Sequence, residues 1–170
     1  AAGLPKETKG AIWANNDVTA WTCTLGLWRA NMCWIPVGAR NSAQENHYLL
    51  DAFDCEVLFF QKYFAPTIAE LKPRLPKVRL WICIDGESAE IPAALSLENW
   101  IAGQPTSKPN IAVDLDDVIM LSGTGGTTGQ PKGVMNTHRS AQTFCAHFLM
   151  TCTYAGNQRP VNLAAAPMTH

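Results

Sequence analysis

Alternating strand-like and helix-like segments predict an α/β fold for this chain, with a largely parallel sheet covered by helices. The alternation repeats at least three times before residue 85. The strand-like runs are almost continuously apolar, which is typical of a sheet buried on both faces. At 170 residues, the chain is long enough to bury a sizeable core, and one domain is the default expectation.

Four strands are predicted in the first half of the chain, because short apolar runs there are bounded by turn residues or helix caps. They cover residues 10–14, 33–37, 56–60 and 78–84. Pro36 predicts that the second of them lies at an edge of the sheet or ends there, since proline cannot donate a ladder hydrogen bond.

Three helices are predicted between these strands from capping residues and apolar spacing. Asn16 and Asp17 can cap the first, whose apolar face is predicted to be Val18, Trp21, Leu25 and Trp28. Ser42 and Glu45 form a capping-box pattern that opens the second, which runs to about Phe53. The third ends between Pro73 and Pro76 and carries the apolar stripe Phe64, Ile68, Leu71 and Leu75.

A surface linker is predicted over residues 103–110, which combine glycine, two prolines and serine. Before it, Ser96 is predicted to cap a short helix over 97–102. After it, the sequence predicts strands over 117–122 and 133–137, then a helix from about 139 to 154. The Gly/Thr-rich segment between these two strands is therefore a loop that does not lead directly into a helix.

Composition argues against several classes of protein. The formal net charge is -1 with no strongly basic stretch, which argues against nucleic-acid binding. No apolar run reaches the length of a membrane span, and no secretory signal is evident. The six cysteines include no CxxC pair, so we expect buried, reduced cysteines in a cytoplasmic protein and assign no metal ligands.

The most informative segment is 121–138, LSGTGGTTGQPKGVMNTH. It places five glycines among Ser122 and several threonines, and then adds Pro131 and Lys132. Glycines let backbone N–H groups approach phosphate oxygens, hydroxyls donate without bulk, and lysine supplies a compact charge. The pattern indicates a polyphosphate site. A ligand-free Gly/Thr hairpin remains an open alternative.

A Walker A loop does not fit this segment. That loop ends in Gly-Lys-Ser/Thr and leads directly into a helix whose N-terminus holds phosphate. Here Lys132 is followed by Gly133, so no hydroxyl follows the lysine to bind magnesium. The order of strand, loop and strand therefore argues against a P-loop nucleotidase.

The segment resembles the phosphate-binding signature of the adenylate-forming enzymes, which include acyl-CoA synthetases, luciferases and the adenylation domains of peptide synthetases. Their usual pattern is T-S-G-T-T-G-x-P-K-G-V. Residues 124–134 match it at every position but one, since Gly125 stands where serine is usual.

A second resemblance lies upstream, where residues 27–37 are similar to the family's L-x-R-A-G-A-x-W-V-P-V segment. Asn31 replaces the usual glycine, and asparagine tolerates the left-handed conformation better than most residues. Residues 40–45 and the Asp116-Asp117 pair continue the match. The resemblance implies that 1–170 is part of the large N-terminal AMP-binding domain, without its C-terminal part or the small C-terminal domain.

The resemblance implies a two-step ligase that forms an acyl-adenylate from ATP and a carboxylic acid, then passes the acyl group to a thiol, most often that of coenzyme A. Mg²⁺ would accompany the ATP. The implied phosphate contacts are Thr124, Thr127, Thr128 and Lys132, with close backbone approach at Gly125, Gly126 and Gly129. The choice of carboxylic acid, the alternative of a carrier-protein thiol, and the oligomeric state, a homo-oligomer included, stay open.

His170 is a further candidate, because the family often carries a histidine near the acyl carboxylate in a P-x-x-H run. A histidine at a truncated end is the equal alternative. We expect a piece of a longer protein, since the family's adenine, ribose and C-terminal lysine motifs have no counterpart here. The chain alone is then expected to be inactive as a ligase. The other open interpretation is a non-catalytic or degenerate fold unit with little or no nucleotide binding.

Overall fold

Seven strands form the sheet in the computed structural model, which describes residues 3–124, 131–151, 166, 167 and 169. The strands are β1 (Lys9–Trp13), β2 (Cys33–Pro36), β3 (Val57–Phe60), β4 (Leu80–Cys83), β5 (Leu95–Ser96), β6 (Val118–Thr124) and β7 (Lys132–Thr137). The α-helices of the described ranges are α1 (Val18–Arg29), α2 (Ala43–Ala52), α3 (Ala65–Leu71), α4 (Leu97–Ile101) and α5 (His138–Thr151).

The strands are ordered β5-β4-β3-β1-β2-β6-β7 across the sheet. All neighbours run parallel except β6 and β7, which form an antiparallel hairpin. The predicted largely parallel α/β sheet is confirmed. Pro36 ends β2, which lies inside the sheet and not at its edge. The two-residue strand β5 was not predicted, because two residues carry no readable apolar period.

The central strands are buried on both faces, as their continuous apolar runs predict. Successive side chains of a strand point to opposite faces. Phe59 accordingly joins the core cluster that includes residues of α1, while Phe60 joins the cluster that includes residues of α2 and α3. The sheet is thus covered by helices on both sides.

Helix starts follow the predicted capping residues. Asp17 accepts hydrogen bonds from the backbone N–H groups of Thr19 and Ala20 at the start of α1. Ser42 and Glu45 make both bonds of a capping box at the start of α2. These caps satisfy N–H groups that a helix cannot pair internally, so they fix where the helices begin.

The predicted apolar face of α1 is wrong. Val18 is 83% exposed, and Trp21 and Leu25 are 37% and 41% exposed. The buried residues of α1 are Ala20, Cys23, Thr24 and Leu27. These residues have the same three-and-four spacing, and Ala20, Cys23 and Thr24 are small, so the helix can lie close to the sheet. The approach is close at Gly10 of β1, where an added Cβ would lie 2.9 Å from Leu27 Cδ2. Of the predicted face, Trp28 does pack against the core.

Buried cysteines are confirmed at four of the six positions, Cys23, Cys33, Cys55 and Cys83. Burial raises the pKa of the Cys55 thiol to about 12, so this thiol stays protonated at neutral pH. Cys145 is exposed on α5, against the expectation, because that helix has no buried residues. Cys152 lies outside the described residues.

None of the helices within the described residues is long and apolar enough to cross a membrane.

The β6–β7 hairpin joins the rest of the sheet at a seam between β6 and β2. Its parallel ladder to β2 has a single residue pair, Trp34 with Met120. Side chains reinforce this seam. Trp28 Nε1 donates to the Ile119 carbonyl at 3.0 Å, and Glu7 Oε1 accepts from the Val118 N–H at 3.0 Å.

Asp117 lies at this seam and joins several of its segments. Its carboxylate is 8% exposed and accepts from Lys6 Nζ at 2.8 Å, Asn31 Nδ2 at 2.8 Å and the Asp114 N–H at 2.9 Å. The Lys6 hydrogen bond, followed by those of Asn31 and Asp114, holds the pKa of Asp117 well below its usual range. One carboxylate therefore joins the N-terminal segment, the turn before β2 and the linker at the base of the hairpin.

Asn31 extends this network to the far strand of the hairpin. It is fully buried and has a left-handed backbone with φ of 52°, as its replacement of a glycine predicts. Because its Nδ2 donates to Asp117, its Oδ1 is the acceptor for His138 Nε2 at 3.2 Å. His138 follows β7 directly, so Asn31 links both strands of the hairpin to the core.

Helix α2 packs against the other end of the same hairpin. Gly123 and Gly133 face each other across β6 and β7. A Cβ on Gly123 would lie 2.7 Å from Leu49 Cδ2, and one on Gly133 would lie 3.0 Å from Phe53 Cε1. A side chain at either position would displace Leu49 or Phe53, which favours glycine at both.

The charge on Asp117 should matter more for stability than the charge on the neighbouring Asp116, whose side chain is 69% exposed and pairs with Arg139. Asp117→Asn should lower the urea midpoint at pH 7 clearly more than Asp116→Asn. The folded-state pKa of Asp117 is lowered, so its contribution is present above the ordinary carboxyl pKa of about 3.9 and is lost as the pH falls below it. Asp117→Asn should therefore lose less stability than the wild type on acidification. Equal behaviour of the two variants in urea unfolding would contradict this.

Alanine at either hairpin glycine should destabilise the fold, because its methyl group would overlap Leu49 or Phe53. Both glycines are exposed and the displaced atoms are side-chain ends, so we expect Gly123→Ala and Gly133→Ala each to cost about 0.5–1 kcal/mol in the free energy of unfolding, less than overpacking in a buried core. Gly26→Ala in α1 is the matched control, since a Cβ there meets nothing within 4 Å, and it should gain about 0.5–1 kcal/mol. Three indistinguishable denaturation curves would show that α2 does not constrain the hairpin.

Candidate functional site

A cavity of about 530 Å³ opens beyond the carboxyl ends of β1 and β2. It is lined by residues 14–16 after β1, residues 38–41 after β2, and Pro167 and Thr169. The chain leaves β1 for α1 on one face of the sheet and leaves β2 for α2 on the other. Such a switch point is where open α/β sheets place their ligands.

Asparagines build the walls of this cavity. Asn41 Nδ2 donates to Asn46 Oδ1 at 3.0 Å, and Asn46 Nδ2 donates to the Gly38 carbonyl at 2.9 Å. These bonds fix the loop between β2 and α2. Asn16 Nδ2 donates to the Ala166 carbonyl at 3.1 Å. The segment before His170 therefore lies at the cavity.

The Gly/Thr loop leaves the same edge of the sheet as the cavity, because β6 runs parallel to β2. Thr124 and Lys132 are the last paired residues before and after the loop. Thr124 Oγ1 donates to the Lys132 carbonyl at 3.2 Å and closes the neck of the loop. Both residues are exposed. Within the described residues the Lys132 ammonium has no ion-pair partner, so it is available to an anion.

The structure describes only part of the predicted site. It brings Thr124 and Lys132 together, whereas Gly125, Gly126, Thr127, Thr128 and Gly129 lie outside the described residues, as does His170. Their roles stay predictions. The other two glycines of the segment, Gly123 and Gly133, which were not assigned to phosphate, lie against Leu49 and Phe53.

The polar cavity residues were missed in the sequence. Asn15, Asn16, Arg40 and Asn41 each follow a predicted strand closely, and that position was the available signal. This positional signal could not be used without the strand order, because only the order identifies the switch point between β1 and β2.

Among the described residues, no three His, Cys, Asp or Glu side chains are grouped to hold a metal ion.

Comparison with known proteins shows relatives among CoA ligases. The medium-chain acyl-CoA ligase Mig of Mycobacterium avium is 36% identical over 126 residues, which are 73% of this chain and 23% of that protein. The medium-chain-fatty-acid–CoA ligase of Ectopseudomonas oleovorans is 27% identical over 172 residues, covering 99% of this chain and 32% of that protein. The chain thus spans about a quarter to a third of the length of these curated relatives.

Solved structures show the same fold. The N-terminal domain of FACL13 from Mycobacterium tuberculosis matches 99% of this chain and 40% of that chain, with a TM-score of 0.80 and 22% identity. The anthranilate CoA ligase AuaEII, in complex with anthranoyl-AMP, matches 81% of this chain and 26% of that chain, with a TM-score of 0.74 and 23% identity.

A family model described as "AMP-binding enzyme" matches residues 1–170. Since the match covers every residue, the chain belongs to the AMP-binding enzyme family.

Proposed function

We propose that the chain is part of an ATP-dependent carboxylate ligase, and that its Gly/Thr hairpin holds the ATP phosphates. The observation that carries the proposal is the position of Lys132. Lys132 is exposed at the neck of the loop, at the same edge of the sheet as the switch-point cavity. A lysine without an ion-pair partner among the described residues, beside a glycine- and threonine-rich loop, suits a polyphosphate.

The relatives named as acyl-CoA ligases suggest the reaction. In the first step a carboxylate oxygen attacks the α-phosphorus of ATP, the new P–O bond gives an acyl-adenylate, and the bond to pyrophosphate breaks. In the second step the thiol sulfur of coenzyme A attacks the acyl carbon and AMP leaves. The substrates of the whole protein would be a carboxylic acid, ATP and coenzyme A.

The hairpin's part in the first step is to stabilise charge. Negative charge builds up on the leaving pyrophosphate, and the Lys132 ammonium would lie against it. The Thr124 hydroxyl, whose one proton is donated to the Lys132 carbonyl, would fix the neck of the loop. We assign Thr127 and Thr128 to the same phosphates and Gly126 and Gly129 to backbone contacts. Magnesium has no suitable side-chain cluster in the described part of the chain, so we assign it no residue and no step.

The switch-point cavity is the proposed place for the reacting acyl carboxylate. Pro167 and Thr169 line it, and Asn16 holds the adjoining Ala166 carbonyl. His170 follows directly and is the candidate partner for the carboxylate.

Lys132→Ala should slow adenylate formation in the intact protein that carries this chain. Loss of one pre-positioned donor from a charge-stabilising site typically costs about 100-fold in rate, and we expect a loss of that order in ATP–pyrophosphate exchange. Lys108→Ala is the matched control, because Lys108 lies in the exposed linker and should leave exchange unchanged.

An unchanged exchange rate for Lys132→Ala would refute the assignment of Lys132 to the phosphates. Absence of exchange in the intact wild-type protein, across carboxylic acids of graded size, would favour the alternative of a non-catalytic fold unit.

A further inference from the structure

We propose that Tyr48 is a positioning residue for the phosphate loop, holding the peptide that precedes Lys132. The proposal rests on the function proposed above and deepens it. Tyr48 lies on α2, 83 residues before Pro131 in the chain, and its hydroxyl donates to the Pro131 carbonyl at 3.2 Å. The signature pattern of the loop, residues 124–134, does not include this tyrosine.

Tyr48 is well placed to act as a rigid support. Helix α2 begins at a complete capping box formed by Ser42 and Glu45, and the half-buried Tyr48 packs against the core cluster. The phenol is therefore fixed at its base and presents one polar atom to the loop. Proline has no N–H group, so the carbonyl is the only backbone group through which Pro131 can be held.

The same helix touches both strands of the hairpin. Leu49 lies against Gly123 on β6, and Phe53 lies against Gly133 on β7. Tyr48 adds a third contact just before β7 begins. Together these contacts fix the separation between α2 and the neck of the loop.

The backbone of Lys132 is thus held at two carbonyl groups, that of the preceding residue and its own. Tyr48 holds the Pro131 carbonyl, and Thr124 Oγ1 donates to the Lys132 carbonyl at 3.2 Å. The lysine side chain is flexible, and fixing its backbone atoms limits the positions that the ammonium can reach.

The test removes only the phenol oxygen. In the intact protein, Tyr48→Phe should raise the KM for ATP and for pyrophosphate in the exchange reaction about threefold to tenfold, the effect of one lost hydrogen bond. The KM for the carboxylic acid should not change. Tyr63→Phe is the matched control, because Tyr63 is 79% exposed and should leave all three constants unchanged.

A double-mutant cycle with Lys132→Ala separates positioning from general structural loss. If Tyr48 acts through Lys132, Tyr48→Phe should have no further effect on the KM for ATP in the Lys132→Ala background. Equal effects in both backgrounds, or an unchanged KM for ATP in the single variant, would overturn the proposal. If Lys132→Ala alone leaves exchange unchanged, the phosphate assignment itself fails and the proposal for Tyr48 falls with it.

Discussion

The position of the candidate site depends on the buried carboxylate of Asp117. The hairpin that carries the loop joins the sheet along β2, where Trp34 pairs with Met120. Asp117 adds to this attachment by accepting from Lys6, Asn31 and the Asp114 backbone. Buried charge is stable only when it is paired and hydrogen-bonded. That requirement brings three separate segments together beneath the hairpin.

A second constraint acts at the other end of the hairpin, through α2. Gly123 and Gly133 leave room for Leu49 and Phe53, so the helix and the two strands approach closely. With the base held by Asp117 and the neck contacted by α2, the two described ends of the loop, Thr124 and Lys132, have defined positions. They lie at the edge of the sheet where the β1 and β2 loops form the cavity. Under the proposed function, packing and electrostatics would place these two residues before any ligand binds.

Local features of the chain were predictable from the sequence, whereas tertiary choices were not. The capping box of α2 and the continuous apolar runs predicted its start and the central strands correctly. The apolar face of α1 was predicted from the three-and-four spacing of its large apolar residues, but close approach to the sheet selected Ala20, Cys23 and Thr24 instead. Asp116 and Asp117 are adjacent, identical carboxylates, and only the fold makes one buried and leaves the other exposed. The loop was recognisable because its glycine, threonine and lysine pattern is contiguous, while the cavity depends on strand order.

The central claim is that Lys132 lies against the terminal phosphates of bound ATP. The most direct measurement labels the intact protein with an ATP analogue that carries an aldehyde on its terminal phosphate, followed by borohydride reduction and peptide mapping. The aldehyde forms a Schiff base with a lysine amine close to it, and reduction makes that bond permanent. We predict labelling of Lys132 that ATP and pyrophosphate both suppress. Labelling confined to other lysines, or labelling of Lys132 that ATP does not suppress, would contradict the account.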